Sequence, residues 1–425
     1  MQQAIAYGTT LLTLTVGLAQ PRIGAGLRLG PTSASVLGML VVLSTGVVSP
    51  ADVAGGFDAL WRPFLTIVSI VLTTSVAQRL GILEHFVWLL EAASGGRIAQ
   101  LFRSVFILGA ATSAILNNDA AVLLLTPLIV ALVRQRYPDR PDLVVPFAFA
   151  VFSASGVAPL VISNPINIIV AEYAGIGFNE YALRMIPVAV AGWVATYAIL
   201  WFVFRGQLQA PSLADRIGPV PATKLSRPAK QFAAIMLLVL GSYPALSYAG
   251  SPVWIVALAG AALCWLIVWR HGMTSPAMLA RSVPWGILVF LFCVFVMVMG
   301  LRNVGLSQAI GSLYASANNP AAQVLVIGTA SALGSALLNN HPMAILNALT
   351  LADLPGATKQ HVLAALIGGD LGPRLLPTGS LAGLLWLQSL ARDGVHISLS
   401  RFMGVGFAVA VPTLALSLVI LLLAW

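Results

Sequence analysis

The sequence predicts an all-α integral membrane protein, with about ten transmembrane helices and two re-entrant helical hairpins set in an inverted repeat. Three observations carry that prediction. The chain is 59% hydrophobic and only 8% charged, with a mean hydropathy of +0.94, which is more apolar surface than a water-soluble core can absorb. Uninterrupted apolar runs such as 285–301 and 407–425 have the length a helix needs to cross a hydrocarbon core, and they do not alternate as the strands of a membrane barrel do. Finally, Ser113-Ala114-Ile115-Leu116-Asn117-Asn118 recurs as Ser335-Ala336-Leu337-Leu338-Asn339-Asn340, 222 residues later.

In chain order, hydropathy and Gly/Pro punctuation place spans at 4–19, 36–48, 64–76, 143–173, 182–204, 232–248, 253–269, 285–301, 361–390 and 404–425. The first lacks a basic leader and Ala19-Gln20-Pro21 is a poor cleavage site, so it is expected to stay as a helix. Segment 83–93 carries Glu84 and Glu91, is too short to span, and is expected at the membrane interface. Two further apolar stretches, 98–132 and 320–351, are interrupted at their middles by the Asn pairs and are expected to enter and leave from one side. Each is followed by a span broken by Gly and Pro, 143–173 and 361–390. The chain thus divides into a first half, 1–204, a linker, 205–231, and a second half, 232–425.

The formal net charge of +9 does not point to nucleic acid, because the basic residues are scattered over short loops. They read as orientation signals. Of the 22 Lys and Arg, 17 fall on one face, four (Arg62, Arg184, Arg302 and Lys359) on the other, and Arg374 within a span. Cytoplasmic loops are enriched in Lys and Arg, so the linker is expected in the cytoplasm, both termini outside, and the protein in a cytoplasmic (inner) membrane. The first hairpin is flanked by basic residues and the second is not, which sets the two halves upside down relative to each other.

Amides inside a membrane are costly unless they line a cavity, so the Asn pairs mark a polar site. Asn117, Asn118, Asn339 and Asn340 can equally cap the half-helices they interrupt, and the two roles are compatible. Ser113 and Ser335 precede the pairs, while Ser163-Asn164 and Thr378-Gly379-Ser380 lie in the broken spans. There, unwound backbone and hydroxyls are expected to converge with the hairpin tips on two sites near the midplane. Half-helix ends supply dipoles suited to a small polar solute or ion. Asp119 and Asp370 are the carboxylates deep in the membrane region. Asp119 has no cation nearby in sequence and is the first candidate to carry a proton. Asp370 is the second, or else it neutralises Arg374 four residues on. His341 is the third, since an imidazole titrates near neutrality with little tuning. Cys264 and Cys293 lie in separate apolar runs and read as packing residues, neither metal ligands nor a disulfide.

Four stretches carry a resemblance: Leu116-Asn117-Asn118-Asp119-Ala120-Ala121 through Thr126-Pro127, Ser163-Asn164-Pro165-Ile166-Asn167-Ile168, Gly177-Phe178-Asn179-Glu180-Tyr181-Ala182, and Gly369-Asp370-Leu371-Gly372-Pro373 through Gly379-Ser380-Leu381-Ala382. Over nearly its whole length the chain resembles the arsenite/antimonite efflux permease (ArsB-type) family of the ion transporter superfamily. The resemblance implies export of trivalent arsenic and antimony hydroxides in exchange for protons, with a soluble ArsA-type ATPase as partner in some members and a homodimer as the superfamily's habit. One departure is His341, where the family tends to have Met. Arsenous acid is neutral at pH 7 and offers only hydroxyls, which Asn amides and Ser and Thr hydroxyls can meet. A thiolate cage would hold arsenic too tightly for release.

Other classes fit less of the sequence. A sodium/proton antiporter or sodium-coupled anion carrier shares the hairpin plan, and sodium dependence separates it. An intramembrane aspartyl protease using Asp119 and Asp370 would need Gly where the chain has Ile367. No phosphate-binding Gly-x-x-x-x-Gly-Lys-Ser/Thr loop is present, so no intrinsic ATPase and no cofactor are expected, and any ATPase is a partner.

Overall fold

The computed structural model describes residues 1–425 apart from 24–26, 211–223, 276, 279–280, 282 and 284. The middle of the expected linker, with Arg216, lies outside the described residues. The described α-helices are α1 (Gln2–Ala19), α2 (Pro31–Ser44), α3 (Pro50–Arg79), α4 (Ile82–Ser94), α5 (Ile98–Ile115), α6 (Asn118–Arg136), α7 (Val144–Ala154), α8 (Pro165–Tyr173), α9 (Phe178–Leu208), α10 (Arg227–Tyr248), α11 (Val253–Arg270), α12 (Trp285–Asn303), α13 (Leu306–Ala315), α14 (Pro320–Leu338), α15 (Asn340–Asp353), α16 (Lys359–Leu371), α17 (Leu381–Arg392) and α18 (Leu399–Leu423). The only strand pairing among the described residues is a two-residue bridge, Arg22–Ile23 with Leu27–Arg28.

Nine of the described helices, α3, α5, α6, α9, α10, α11, α12, α14 and α18, are long and apolar enough to cross a membrane. Large apolar side chains face outward: Leu183, Leu237 and Leu423 are 70%, 73% and 78% exposed. Surface of that kind needs lipid to cover it. The chain is a multi-pass membrane protein.

The succession of elements occurs twice. Two helices (α1, α2) precede a long one (α3), a short one (α4), a pair broken at Asn-Asn (α5, α6), a broken span (α7, α8) and a long closing helix (α9). Helices α10 to α18 repeat that order.

Several helices start earlier than expected, and two of them show why. The segment expected at 64–76 is the second half of α3, which begins at Pro50 on a capping box: Asp52 N donates to Ser49 Oγ at 3.2 Å, and Ser49 N to Asp52 Oδ2 at 2.8 Å. Asp52, Asp58 and Arg62 lower the hydropathy of its first turns, which hides the helix from an apolar-run reading. Pro63 sits inside it, as is tolerated where neighbouring helices pack around the break. The span expected at 36–48 is α2, which starts earlier because Pro31 occupies the first turn.

Helix α4 matches the segment expected at the interface, but one of its glutamates points inward. Glu91 is fully buried and pairs with Arg136 Nε at 2.8 Å, tying α4 to the end of α6. Beside it the Tyr137 hydroxyl donates to Gly96 O at 2.9 Å.

Close backbone packing fixes the second half. At Gly368 and Gly372 an added Cβ would strike the carbonyl oxygens of Gly328 and Ala332, so α16 and the turn after it lie directly on α14. Helix α9 runs along α18, where the buried hydroxyls of Thr196 and Thr413 lie 3.2 Å apart and share a hydrogen bond.

Candidate functional site

The two Asn pairs divide their labour. In each, the first Asn caps a half-helix: Asn117 Oδ1 accepts from Ala120 N at 2.7 Å, and Asn339 Oδ1 from His341 N at 3.2 Å. Asn339 does so from a left-handed backbone, at φ 78, a region Asn tolerates better than most residues. The second Asn of each pair, Asn118 and Asn340, lines a shared open cavity.

Four helix starts reach this cavity. Besides Asn118 of α6 and Asn340 of α15, it is lined by Asn164, which caps α8 (Ile166 N to Asn164 Oδ1, 3.2 Å), and by Ser380, which caps α17 (Gly383 N to Ser380 Oγ, 2.9 Å). The positive ends of four half-helices therefore meet around one space, which suits oxygen-bearing solutes and the carboxylates already there.

Those carboxylates have opposite surroundings. Asp370 is buried, and its oxygens accept from Asn164 Nδ2 at 2.6 Å, Ala158 N at 3.2 Å and Asn167 Nδ2 at 3.3 Å. The same Asn167 amide donates to Tyr181 Oη at 2.8 Å, and Tyr181 in turn donates to Ala158 O at 3.3 Å. Every donor to Asp370 comes from the broken span of the first half. Asp119, in the first turn of α6, is half-buried on the cavity wall, and its side chain makes no hydrogen bond or ion pair among the described residues.

Asp370 and Arg374 attract each other by charge, as their spacing suggests, but make no direct ion pair among the described residues. The Arg374 guanidinium donates to the backbone carbonyl of Asp370 rather than to its carboxylate, and also to Ser155 Oγ at 3.3 Å and Phe152 O at 3.4 Å. It lies over the Phe152 ring, 5.6 Å from the centroid. The carboxylate is turned away because two amides and a backbone N–H already hold it.

A family model for arsenical pump membrane proteins (ArsB) matches residues 5–425. The chain belongs to the arsenical pump membrane protein family. Within that family it is 32% identical to the arsenical pump membrane protein of Escherichia coli strain K12 over 426 residues, covering 99% of this chain and 98% of that one. A protein of the same description from Shigella flexneri matches to the same extent. A putative arsenical pump membrane protein of Bacillus subtilis strain 168 is 28% identical, over 87% of this chain and 88% of its own. Among solved structures, the fold is similar to that of the YdaH transporter of Alcanivorax borkumensis, with a TM-score of 0.60 at 16% identity over 99% and 97% of the two chains.

In this arsenical pump family member the cavity gathers six of the residues singled out from sequence: Asn118, Asp119, Asn164, Asn340, Asp370 and Ser380. Others stand one step behind. Ser113 Oγ bonds Asn118 Oδ1. The Ser163 hydroxyl donates to Ala114 O at 3.0 Å, and that of Thr378 to Ala336 O at 3.2 Å. Ser335 Oγ is buried without a partner. His341 does not line the cavity; its Nδ1 lies 3.3 Å from Asn339 Oδ1 and its ring meets Phe290 edge-on. Residues from both tips line one cavity, where two sites were expected. Sequence reading gave no place in the site to Arg374, Ser155 and Phe152 on the wall, or to Asn167 and Tyr181 behind Asp370. Asn167 had a signal, since it stands in the first turn of a helix whose other buried residues are all apolar, where an amide has no cheap role.

Proposed function

We propose that this chain is a secondary transporter that exports trivalent arsenic and antimony, as their neutral hydroxides, across the cytoplasmic membrane in exchange for protons. The observation that carries the reading is Asp119. It is a carboxylate with no hydrogen bond or ion pair among the described residues, on the wall of a cavity whose other polar lining is Asn118, Asn164, Asn340, Ser155, Ser380, Asp370 and Arg374. A group so placed can hold a proton or a solute hydroxyl in turn, which is what exchange requires. Asn118, Asn340, Asn164 and Ser380 are the proposed solute ligands, with Asn117, Asn339, Ser113, Ser335, Ser163 and Thr378 shaping the tips, and Asp370 and His341 secondary to Asp119 in proton coupling. The arsenical pump relatives supply the solute class.

The two halves, 1–204 and 232–425, are proposed as inverted repeats in which helix-pair tips and broken spans move against the remaining helices. Matching hydrogen bonds favour that reading: Ser163 to Ala114 O and Thr378 to Ala336 O join a broken span to a tip in each half, and Ala114 and Ala336 occupy equivalent places in the repeated hexapeptide. The basic loops favour a cytoplasmic linker and external termini. If a neutral solute leaves as one proton enters, a potential of 100 mV contributes about 2.3 kcal/mol per cycle. A soluble ArsA-type ATPase and a homodimer are the partners to test for by co-purification.

The test is arsenite and antimonite uptake into everted vesicles energised by respiration. Uptake is expected to be abolished by a protonophore and indifferent to sodium. Uptake that follows sodium instead would return the sodium-coupled carrier.

A further inference from the structure

Arg374 is a cation with an open position. Arg374 is 5% exposed, feels the charge of Asp370, and makes no direct ion pair among the described residues. Its two terminal nitrogens are engaged by Asp370 O, Ser155 Oγ and Phe152 O, which together with the Phe152 ring fix its plane. Its Nε is buried and has no acceptor. On the same cavity, Asn340 Oδ1 is buried without a donor and Asp119 makes no hydrogen bond or ion pair among the described residues. Buried polar atoms of this kind are costly to leave open, and the two side chains that carry them line one cavity together with the half-buried Asp119.

We propose that Arg374 is the donor wall of the solute site: its Nε–H meets an oxygen of the bound solute, while Asp119 and Asn340 accept the solute's O–H groups. This rests on the reading of the cavity as the solute site. The set has one fixed donor and two acceptors, and a pyramidal trihydroxide satisfies it at once, because each of its oxygens both donates and accepts. A tetrahedral oxyanion would satisfy Arg374 but bring unprotonated oxygens against Asp119 and Asn340 Oδ1. An alkali cation would suit the acceptors and be repelled by the guanidinium. Arg374 thereby selects solutes by hydrogen-bond polarity, and only a planar fork with two nitrogens pinned can present the third N–H in a fixed direction.

The experiment measures binding of arsenous acid and of methylarsonous acid, which has one hydroxyl replaced by methyl, to purified full-length protein by calorimetry. Arg374→Lys is expected to weaken arsenous acid binding by about tenfold or more, the loss typical of a hydrogen bond to a charged group. It is also expected to narrow the ratio between the two arsenicals. A purely structural defect would weaken both by one factor and leave the ratio unchanged, which would overturn the proposal. If Arg374→Lys does not fold, Ser155→Ala keeps the guanidinium and removes one anchor. That variant is expected to narrow the ratio too, and an unchanged ratio overturns the proposal. Asp119→Asn and Asn340→Ala separate the two levels. If both bind arsenous acid normally, the cavity is not the solute site. If both lose binding while Arg374→Lys keeps full affinity and ratio, the cavity reading stands and the role of Arg374 falls.

Discussion

Asn164 Nδ2 donates to Asp370 Oδ1 at 2.6 Å across 206 residues of sequence. This bond, with those from Asn167 and Ala158 N, makes the second half's carboxylate a rivet in the first half's broken span. Asp370→Asn turns an amide toward two amide donors and should cost about 1–3 kcal/mol for each donor left unmet. The apparent melting temperature in detergent is expected to fall. Combining it with Asn164→Asp restores one amide–carboxylate pair, and part of the loss should return. Equal melting of single and double variants would remove the rivet.

Asp119 has the reverse signature. Its carboxylate makes no hydrogen bond or ion pair among the described residues, so Asp119→Asn should melt with the parent while arsenite uptake into energised vesicles is lost. A large melting shift would mean that Asp119 is structural.

The buried pair Glu91 and Arg136 joins α4 to α6. Glu91→Gln leaves a guanidinium in an apolar setting without its carboxylate and should cost about 3–5 kcal/mol. Glu91→Leu with Arg136→Met should recover most of it, because an ion pair replaced whole by apolar packing is often neutral. Thermal unfolding of the three variants measures this directly.

Gly372 lies where a Cβ would strike Ala332 O, with Ser335 Cβ 2.9 Å away, whereas Gly404 has open space around it. Gly372→Ala is expected to destabilise by about 1–3 kcal/mol or more through overpacking against backbone, and Gly404→Ala to be tolerated. The yield of monodisperse protein on size exclusion reads the difference.

Much of the fold was legible because lipid writes its demands in hydropathy: the apolar runs, the breaks at the Asn pairs and the repeated hexapeptide all correspond to helices or their ends. What escaped depended on contacts between distant segments. Glu91 looked like an interfacial charge because its partner is 45 positions away. Arg374 and Asp370 do attract each other, as a spacing of four residues suggests, but the chain turns out of the α-helix at Gly372 and the carboxylate's hydrogen bonds come from Asn164, Asn167 and Ala158 N, which sequence spacing does not reveal. Asn117 and Asn118 could not be told apart as cap and wall from sequence, since both amides can do either.

The helix-pair tips of both halves open onto one space, and that has a consequence for counting. Two tips invite two cargoes, but Asn118 and Asn340 share a single chamber, so if that chamber is the solute site, as proposed, each polypeptide is a one-berth ferry. Any dimer of it would carry two solutes by having two chains, not by having two halves.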